Sequence, residues 1–327
     1  MIKTQCTNPI FVIGCPRSGT TLLASILNRH SQIASGPETH FFDFVSRRNI
    51  NWKEFTLTGF TKLLAESRIQ DFIQAAGISK EKLIKNYKQD PQSKYQSKLE
   101  IDQFYKKEVF DLLMNSFLDQ KAKSRFCENT PQHLYNIEEI LTLYPQAKFV
   151  HLIRDGRDTT RSLMQMPWRP KGLVNNARFW VRNLKEVSRT INKLGTDSIL
   201  EIRYEELVTK PEQSLELICD FIEEKYEASL FDNSEDQAAI FSNWESGWKQ
   251  KTRSKLNTDS INSWQTELDE DQQAILNSYL KDILAGLGYE SKTNKLNIKQ
   301  KIKLGFEFST IAWRKLIRSV LNFLNRS

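Results

Sequence analysis

Cysteine and histidine are scarce in this chain of 327 residues, four of each. None of Cys6, Cys15, Cys127 and Cys219 stands in a C-x-x-C pair or at a disulfide-like spacing. That excludes a disulfide framework and leaves no ligand set for structural zinc, so the sequence reads as that of a protein from a reducing, cytoplasmic compartment. The first residues, "MIKTQCTNPIFVIG", hold no apolar core of useful length and no small-residue cleavage site, the marks of a secretory signal. No apolar run is long and charge-free enough to span a membrane. Internal repeats are absent as well. What is present suits a globular protein with a buried core: 39% hydrophobic, 11% aromatic and 27% charged residues.

The net charge of +7 suggests nucleic acid until it is located. From Lys292 to Ser327 the chain carries nine basic residues and one acid, Glu307, a balance of +8. Residues 1–291 therefore carry −1, and a nucleic-acid partner is not expected. Within the tail, Trp313, Ile317, Val320 and Leu324 recur at helical spacing, with Glu307, Arg314, Arg318, Asn322 and Asn325 on another face. Such a basic amphipathic helix has two uses, peripheral contact with an anionic membrane or packing on the protein. The domain reading is 1–291 as one unit and 292–327 as an extension.

Short apolar runs read as strands at 10–14, 125–129, 148–154 and 198–205, with helical patterns at 20–30, 136–145, 158–166, 175–194 and 211–226. Continuous apolarity in the strands points to a parallel sheet covered on both faces. The fold class is α/β, a P-loop-like three-layer fold around a central parallel sheet. Between about residues 51 and 123 strand signals fade, which predicts a helical insertion serving as a lid or acceptor-site wall.

"GCPRSGTT" joins the first strand to the first helix. Gly14 and Gly19 stand at the G-x-x-x-x-G spacing, and Thr20 and Thr21 open the helix, an arrangement that turns backbone N–H groups toward an anion. A nucleoside triphosphatase would have lysine after the second glycine; Thr20 is there instead, and the nearest cation is Arg17. No strand ends in an obvious magnesium-binding aspartate. The loop suits an anion handled without metal, gripped by a bidentate guanidinium. Cys15 beside it reads as a packing residue. A second strand-to-helix junction, "FVHLIRDGRDTTRSLM", places Arg154 at a strand end and Ser162 two turns into the next helix, and Asp155 with Asp158 reads as a helix-cap pair.

These motifs together resemble the sulfotransferases that use 3′-phosphoadenylyl sulfate (PAPS), and most closely the branch of tyrosylprotein and many bacterial sulfotransferases. The resemblance runs from Ile10 to about Leu268. It implies that Pro16, Arg17, Ser18, Gly19, Thr20 and Thr21 hold the 5′-phosphosulfate, that Arg154 and Ser162 bind the 3′-phosphate, and that Tyr204 lines the adenosine pocket. "SGPETHFF" is similar to the segment whose glutamate, here Glu38, is the catalytic base; Arg17 and the helix start at Thr20 and Thr21 would stabilise the leaving phosphate, and His40 and His133 are reserve bases. A late loop, "WKQKTRSKLNTDSINSW", would close on the donor through Lys251, Arg253 or Lys255. The branch commonly has lysine before the Thr-Pro of "ENTPQH"; this chain has Asn129. Either Arg17 takes that load, or transfer is slower, or activity is lost.

The expected function is PAPS-dependent sulfuryl transfer to a hydroxyl of a saccharide, lipid-linked sugar or small molecule. Two other readings stay open. One is a P-loop kinase or nucleotidase, which the missing lysine disfavours. The other is a protein of the same fold that binds nucleotide without catalysis, which Asn129 would suit.

Overall fold

The computed structural model describes residues 7–48, 50–52, 55–87, 97–231, 258–290 and 295–309. Along them run β1 (Ile10–Gly14), α1 (Thr20–Leu27), β2 (Ile33–Ser35), α2 (Phe41–Arg47), α3 (Leu57–Leu64), α4 (Ser67–Ala75), α5 (Lys80–Asn86), α6 (Lys98–Lys121), β3 (Arg125–Glu128), α7 (Ile137–Leu143), β4 (Lys148–Ile153), α8 (Gly156–Met164), α9 (Leu173–Leu194), β5 (Ile199–Arg203), α10 (Tyr204–Thr209) and α11 (Pro211–Phe221). A single helical turn at Trp264–Glu267, a helix at Glu270–Gly286 and a helix over 298–309 follow. Two compact units emerge. Of the described residues, one contains 7–14, those within Gly19–Leu152 and those from Glu186 to 231; the other contains Cys15–Ser18, Ile153–Lys185 and those from 258 onward.

In the first unit the strands lie in the order β2-β3-β1-β4-β5. The pairs β2–β3, β3–β1 and β1–β4 are parallel, with Gly14 opposite Leu152 and Ser35 opposite Cys127. Neighbouring side chains along a strand point to opposite faces, and both faces are buried here. Phe11 and Ile13 enter one apolar cluster with Ala34, Phe126 and Phe149, while Ile10 and Val12 enter the other with Ile33, Cys127, Val150 and Ile202. Leu23, Ile26 and Leu27 of α1 and Leu215, Ile218 and Ile222 cover the second face. This is the three-layer arrangement that continuous apolar strands predict.

The helical insertion packs on the sheet. Its apolar side chains, among them Phe60, Leu63, Phe72, Phe110 and Phe117, belong to the same cluster as Phe11, Phe126 and Phe149 of the sheet. Phe110 stacks on Phe11 at 6.3 Å, and Phe117 meets Phe126 edge-on at 6.0 Å. The insertion therefore forms a core layer. α6, the longest of these helices, starts at a capping box in which Ser97 and Glu100 satisfy each other's backbone N–H groups. β2 is only three residues long and was not among the runs read as strands.

The second unit has its own core, in which Cys15, Ile153, Leu163, Val174, Ala177 and Trp180 pack with Trp264, Leu276, Leu280 and Leu284. The helix 298–309 belongs to this unit, and Leu304 packs against that core. Residues 310–327, with Trp313, Ile317, Val320 and Leu324, lie outside the described residues.

Candidate active site

The parallel register puts the chemically suggestive segments after the C-terminal ends of neighbouring strands, where α/β sheets bind ligands. "CPRSGTT" follows β1, "SGPETHFF" follows β2, "NTPQH" follows β3 and "RDGRDTTRS" follows β4. Each unit holds its own set of polar side chains.

In the second unit, Arg17 sits in the left-handed region at φ 78°, a conformation that costs a non-glycine residue free energy. Its Nε donates to Ser162 Oγ at 3.0 Å, and its carbonyl accepts from Arg154 Nη1 at 3.1 Å. Three side chains that the sequence assigned to two anion motifs thus form one cluster. Pro16 and Ser18 are buried beside it, and Ser18 Oγ, Thr159 Oγ1 and Thr160 Oγ1 are buried without a hydrogen-bond partner among the described residues. Arg154 Nη2 also donates to the carbonyl of Ser260, and its own carbonyl accepts from Trp180 Nε1 at 3.1 Å. The Trp180 ring lies over Gly156, where a Cβ would come within 2.7 Å of it.

The two aspartates of this motif divide the labour differently from a cap pair. Asp155 does cap α8, accepting from Arg157 N at 2.8 Å. Asp158 instead binds Asn262 N, Ser263 Oγ and Trp264 N at 2.8, 2.8 and 2.9 Å, tying residues 262–264 to α8. A carboxylate three residues into a helix offers both uses, and the tertiary contact decides. Burial raises the Asp158 carboxyl above its ordinary value, against the opposing pull of Arg154 and these donors. Residues 258–264 end the loop expected to close on the donor; Lys251, Arg253 and Lys255 lie outside the described residues. Cys15 is 2% exposed and burial pushes its thiol far up, so it is a packing residue and no reactive thiolate.

In the first unit, α1 begins at Thr20 behind Gly19, whose φ of 100° is left-handed, and no side chain caps the helix. Its first N–H groups are thus left for another acceptor. Thr20 and Thr21 are buried. Tyr204 opens α10 instead of ending a strand, and its ring lies against Gly19.

Glu38 Oε2 lies 3.2 Å from Nε2 of His40, with side chains 9% and 15% exposed. His40 has φ 52°, a second strained backbone. What holds this turn is a residue that sequence reading passed over. Glu128, at the end of β3 and 1% exposed, accepts from Thr39 N at 3.0 Å, Thr39 Oγ1 at 2.9 Å, Thr130 N at 2.7 Å and Thr130 Oγ1 at 2.7 Å. His133 Nδ1 lies 2.8 Å from its other face. Thr130 Oγ1 in turn accepts from His40 N at 3.0 Å. Burial pushes the Glu128 carboxyl up, but the contact with His133 and the Thr39 and Thr130 donors outweigh it and hold the group down to about 2. His133, a reserve base in the sequence reading, is fully buried against Glu128. Asn129 is fully buried, and neither its amide oxygen nor its nitrogen has a hydrogen-bond partner among the described residues.

This chain belongs to the sulfotransferase family, whose model matches residues 9–228. It is 24% identical over 300 residues to protein-tyrosine sulfotransferase A of Caenorhabditis elegans, covering 89% of this chain and 70% of that one. It is also 24% identical over 303 residues to protein-tyrosine sulfotransferase 2 of Gallus gallus, covering 88% and 71%. Among solved structures, the sulfotransferase domain of the Synechococcus PCC 7002 olefin synthase superposes with a TM-score of 0.61 at 18% identity, over 88% of this chain and 96% of that domain. The sulfotransferase domain from the curacin biosynthetic pathway gives 0.58 at 21% identity, over 88% and 100%. The protein is a sulfotransferase with a P-loop-like fold, and the kinase reading falls away.

Proposed function

We propose that the chain moves a sulfuryl group from PAPS to a hydroxyl of a saccharide or small-molecule acceptor, with Glu38 as the base. The observation that carries this reading is the cluster in which Arg17 Nε bonds Ser162 Oγ while Arg154 bonds the Arg17 carbonyl. It gathers two guanidinium groups and a hydroxyl, beside buried hydroxyls of Ser18, Thr159 and Thr160 that lack partners among the described residues. Such a set of cationic and hydroxyl donors fits a polyanion.

In this reading Pro16 to Thr21 take the 5′-phosphosulfate, Arg154 and Ser162 the 3′-phosphate, and Tyr204 the adenosine. Glu38 removes the proton of the acceptor hydroxyl as its oxygen attacks sulfur. The bond from sulfur to the phosphate oxygen breaks, and adenosine 3′,5′-bisphosphate leaves. Arg17 and the uncapped start of α1 meet the charge that develops on that phosphate. Asn129 stands in place of a lysine, and its buried amide, without a partner among the described residues, offers a neutral hydrogen-bond donor to the transferring oxygens. Glu128 acts one step back, fixing the turn that carries Glu38.

The protein-tyrosine sulfotransferases among the relatives favour a second acceptor, a tyrosyl hydroxyl. One experiment separates the readings: the purified chain with sulfur-35-labelled PAPS and a panel of saccharides, small alcohols and an acidic tyrosyl peptide. Labelled saccharide or alcohol supports the first acceptor class and labelled peptide the second. Binding of adenosine 3′,5′-bisphosphate with no transfer to any acceptor in the panel or in cell extract would reduce the chain to a non-catalytic binder.

A further inference from the structure

The helix over 298–309 is docked on the second unit by one face only. Leu304 packs against the apolar core, Phe308 meets the Tyr279 ring at 5.8 Å, and Lys299 pairs with Asp271 at 2.8 Å. Glu307 accepts from Leu173 N at 3.1 Å and Val174 N at 2.8 Å, which caps the start of α9 from outside that helix. The opposite face is turned outward with large apolar side chains on it. Ile298, Ile302 and Phe306, each four residues from the next, are 78%, 67% and 69% exposed. Gly305 beside them has open space around it. A docked helix ordinarily buries its apolar stripe and wets its polar one; here Leu304 and Phe308 already supply the docked apolar side, and Ile298, Ile302 and Phe306 form a second apolar stripe that stays exposed.

Charge indicates what this stripe meets. The only acid between Lys292 and Ser327 is Glu307, and it is consumed as the α9 cap. Lys295, just before the helix, and Lys301 on it are exposed. Beyond it the sequence continues the same three- and four-residue apolar spacing through Trp313, Ile317, Val320 and Leu324, interleaved with Arg314, Lys315, Arg318 and Arg326 and with no acid. A protein partner for a segment of this charge would need an acidic groove to match it. A sheet of anionic lipid headgroups over acyl chains supplies both halves of the complement, negative charge for the lysines and arginines and a boundary for isoleucine and phenylalanine. No described helix is long and apolar enough to cross a membrane, so this contact lies along the surface.

We infer that the outward stripe Ile298–Ile302–Phe306, with the exposed Lys295 and Lys301 that flank it, is a docking surface for an anionic membrane. The inference is independent of how the sulfuryl-transfer site works. It places the enzyme at a bilayer surface, where an acceptor presented by lipid would be concentrated.

Co-sedimentation of the full chain with vesicles tests it. Vesicles of phosphatidylcholine with phosphatidylglycerol should carry the protein down, those of phosphatidylcholine alone should not, and high salt should release it. The double variant Ile302→Asp/Phe306→Asp should lower the partition coefficient at least about tenfold. Its thermal midpoint should stay in place, because both side chains face outward. Ile298→Asp, at the most exposed of the three, repeats the test should the double variant misfold. Equal binding to neutral vesicles, no sedimentation, or undiminished binding of the folded variants would overturn the proposal. Lipid-free self-association that the same variants abolish, without vesicle binding, would assign the stripe to a second copy of the chain.

Discussion

The ring of Tyr204 lies so close over Gly19 that a Cβ at residue 19 would come within 2.5 Å of Tyr204 Cδ2. With φ at 100°, Gly19 is in a region that side chains rarely adopt. Gly19→Ala should therefore lower stability by about 1–3 kcal/mol, the cost of such a backbone in a residue bearing a Cβ. Adding Tyr204→Ala should return part of the loss by removing the clash while leaving the backbone strain. Denaturant melts of the two single variants and the double variant measure this coupling; strict additivity would show that the two residues do not interact.

Ser162→Ala removes the hydroxyl that receives Arg17 Nε, and Arg154→Ala removes the bond to the Arg17 carbonyl. Each should weaken binding of adenosine 3′,5′-bisphosphate, measured by titration calorimetry. Loss of one charge-assisted hydrogen bond is worth about 1.5–3 kcal/mol, roughly tenfold to a hundredfold in affinity. Arg154→Ala should be the larger effect, since this side chain also holds the Ser260 carbonyl. Wild-type affinity in both variants would remove this cluster from the nucleotide site.

Glu38→Gln should reduce turnover by about two to four orders of magnitude while leaving nucleotide affinity within about twofold. Thr130→Val deletes the hydroxyl that joins His40 N to Glu128 and should lower kcat by about tenfold with KM for PAPS unchanged, whereas Thr130→Ser should restore it. A Thr130→Val enzyme with full kcat would make the Glu128 network a matter of stability alone. A fully active Glu38→Gln enzyme would instead end the base assignment itself.

Glu128 also makes a prediction about pH. Its carboxyl is held at about 2, below the ordinary 4.5 of the unfolded chain. The ionised form is therefore favoured by folding, and the stability that it contributes is complete above about pH 4.5 and shrinks as pH falls toward 2. Glu128→Gln does not titrate, so the stability gap between wild type and variant should be constant at neutral pH and narrow through that window. Denaturant melts at a series of pH values read the gap directly; one that stays flat down to pH 3, within about 0.5 kcal/mol, contradicts an ionised Glu128 in the folded protein.

Asp158→Ala should loosen residues 262–264, since it removes the acceptor for Asn262 N, Ser263 Oγ and Trp264 N. Two backbone donors lose their partner, at about 1–3 kcal/mol for each group left buried. Hydrogen exchange at Asn262 and Trp264 should accelerate, while amides of β1 and β4 should keep their protection. Unchanged exchange at 262 and 264 would show that this loop has another anchor.

Much of this fold was legible in the chain because the relevant forces are local. "IFVIG" and "KFVHLI" announce buried parallel strands by unbroken apolarity, and "GCPRSGTT" announces an anion loop because glycine spacing and helix start sit within eight residues. β2 escaped because "IAS" is too short to carry a periodicity, and Tyr204 was placed on a strand because β5 and α10 abut without a turn residue between them. Glu128 escaped for a different reason. As an acid ending a strand it has no local signature, and its partners Thr39, Thr130 and His133 are gathered by β2 and β3 lying side by side.

By itself, then, the sequence determined the layer architecture, the two anion motifs and the family they resemble, since hydrophobic period, glycine placement and motif spacing act over a few residues. Only the tertiary structure decided that the insertion is a core layer, that Asp158 anchors a distant loop, that Glu128 locks the turn behind Glu38, and that the tail helix turns its apolar stripe outward. Each of those depends on which faces meet across dozens of residues of chain, and burial and hydrogen-bond satisfaction settle that only once the strands have paired.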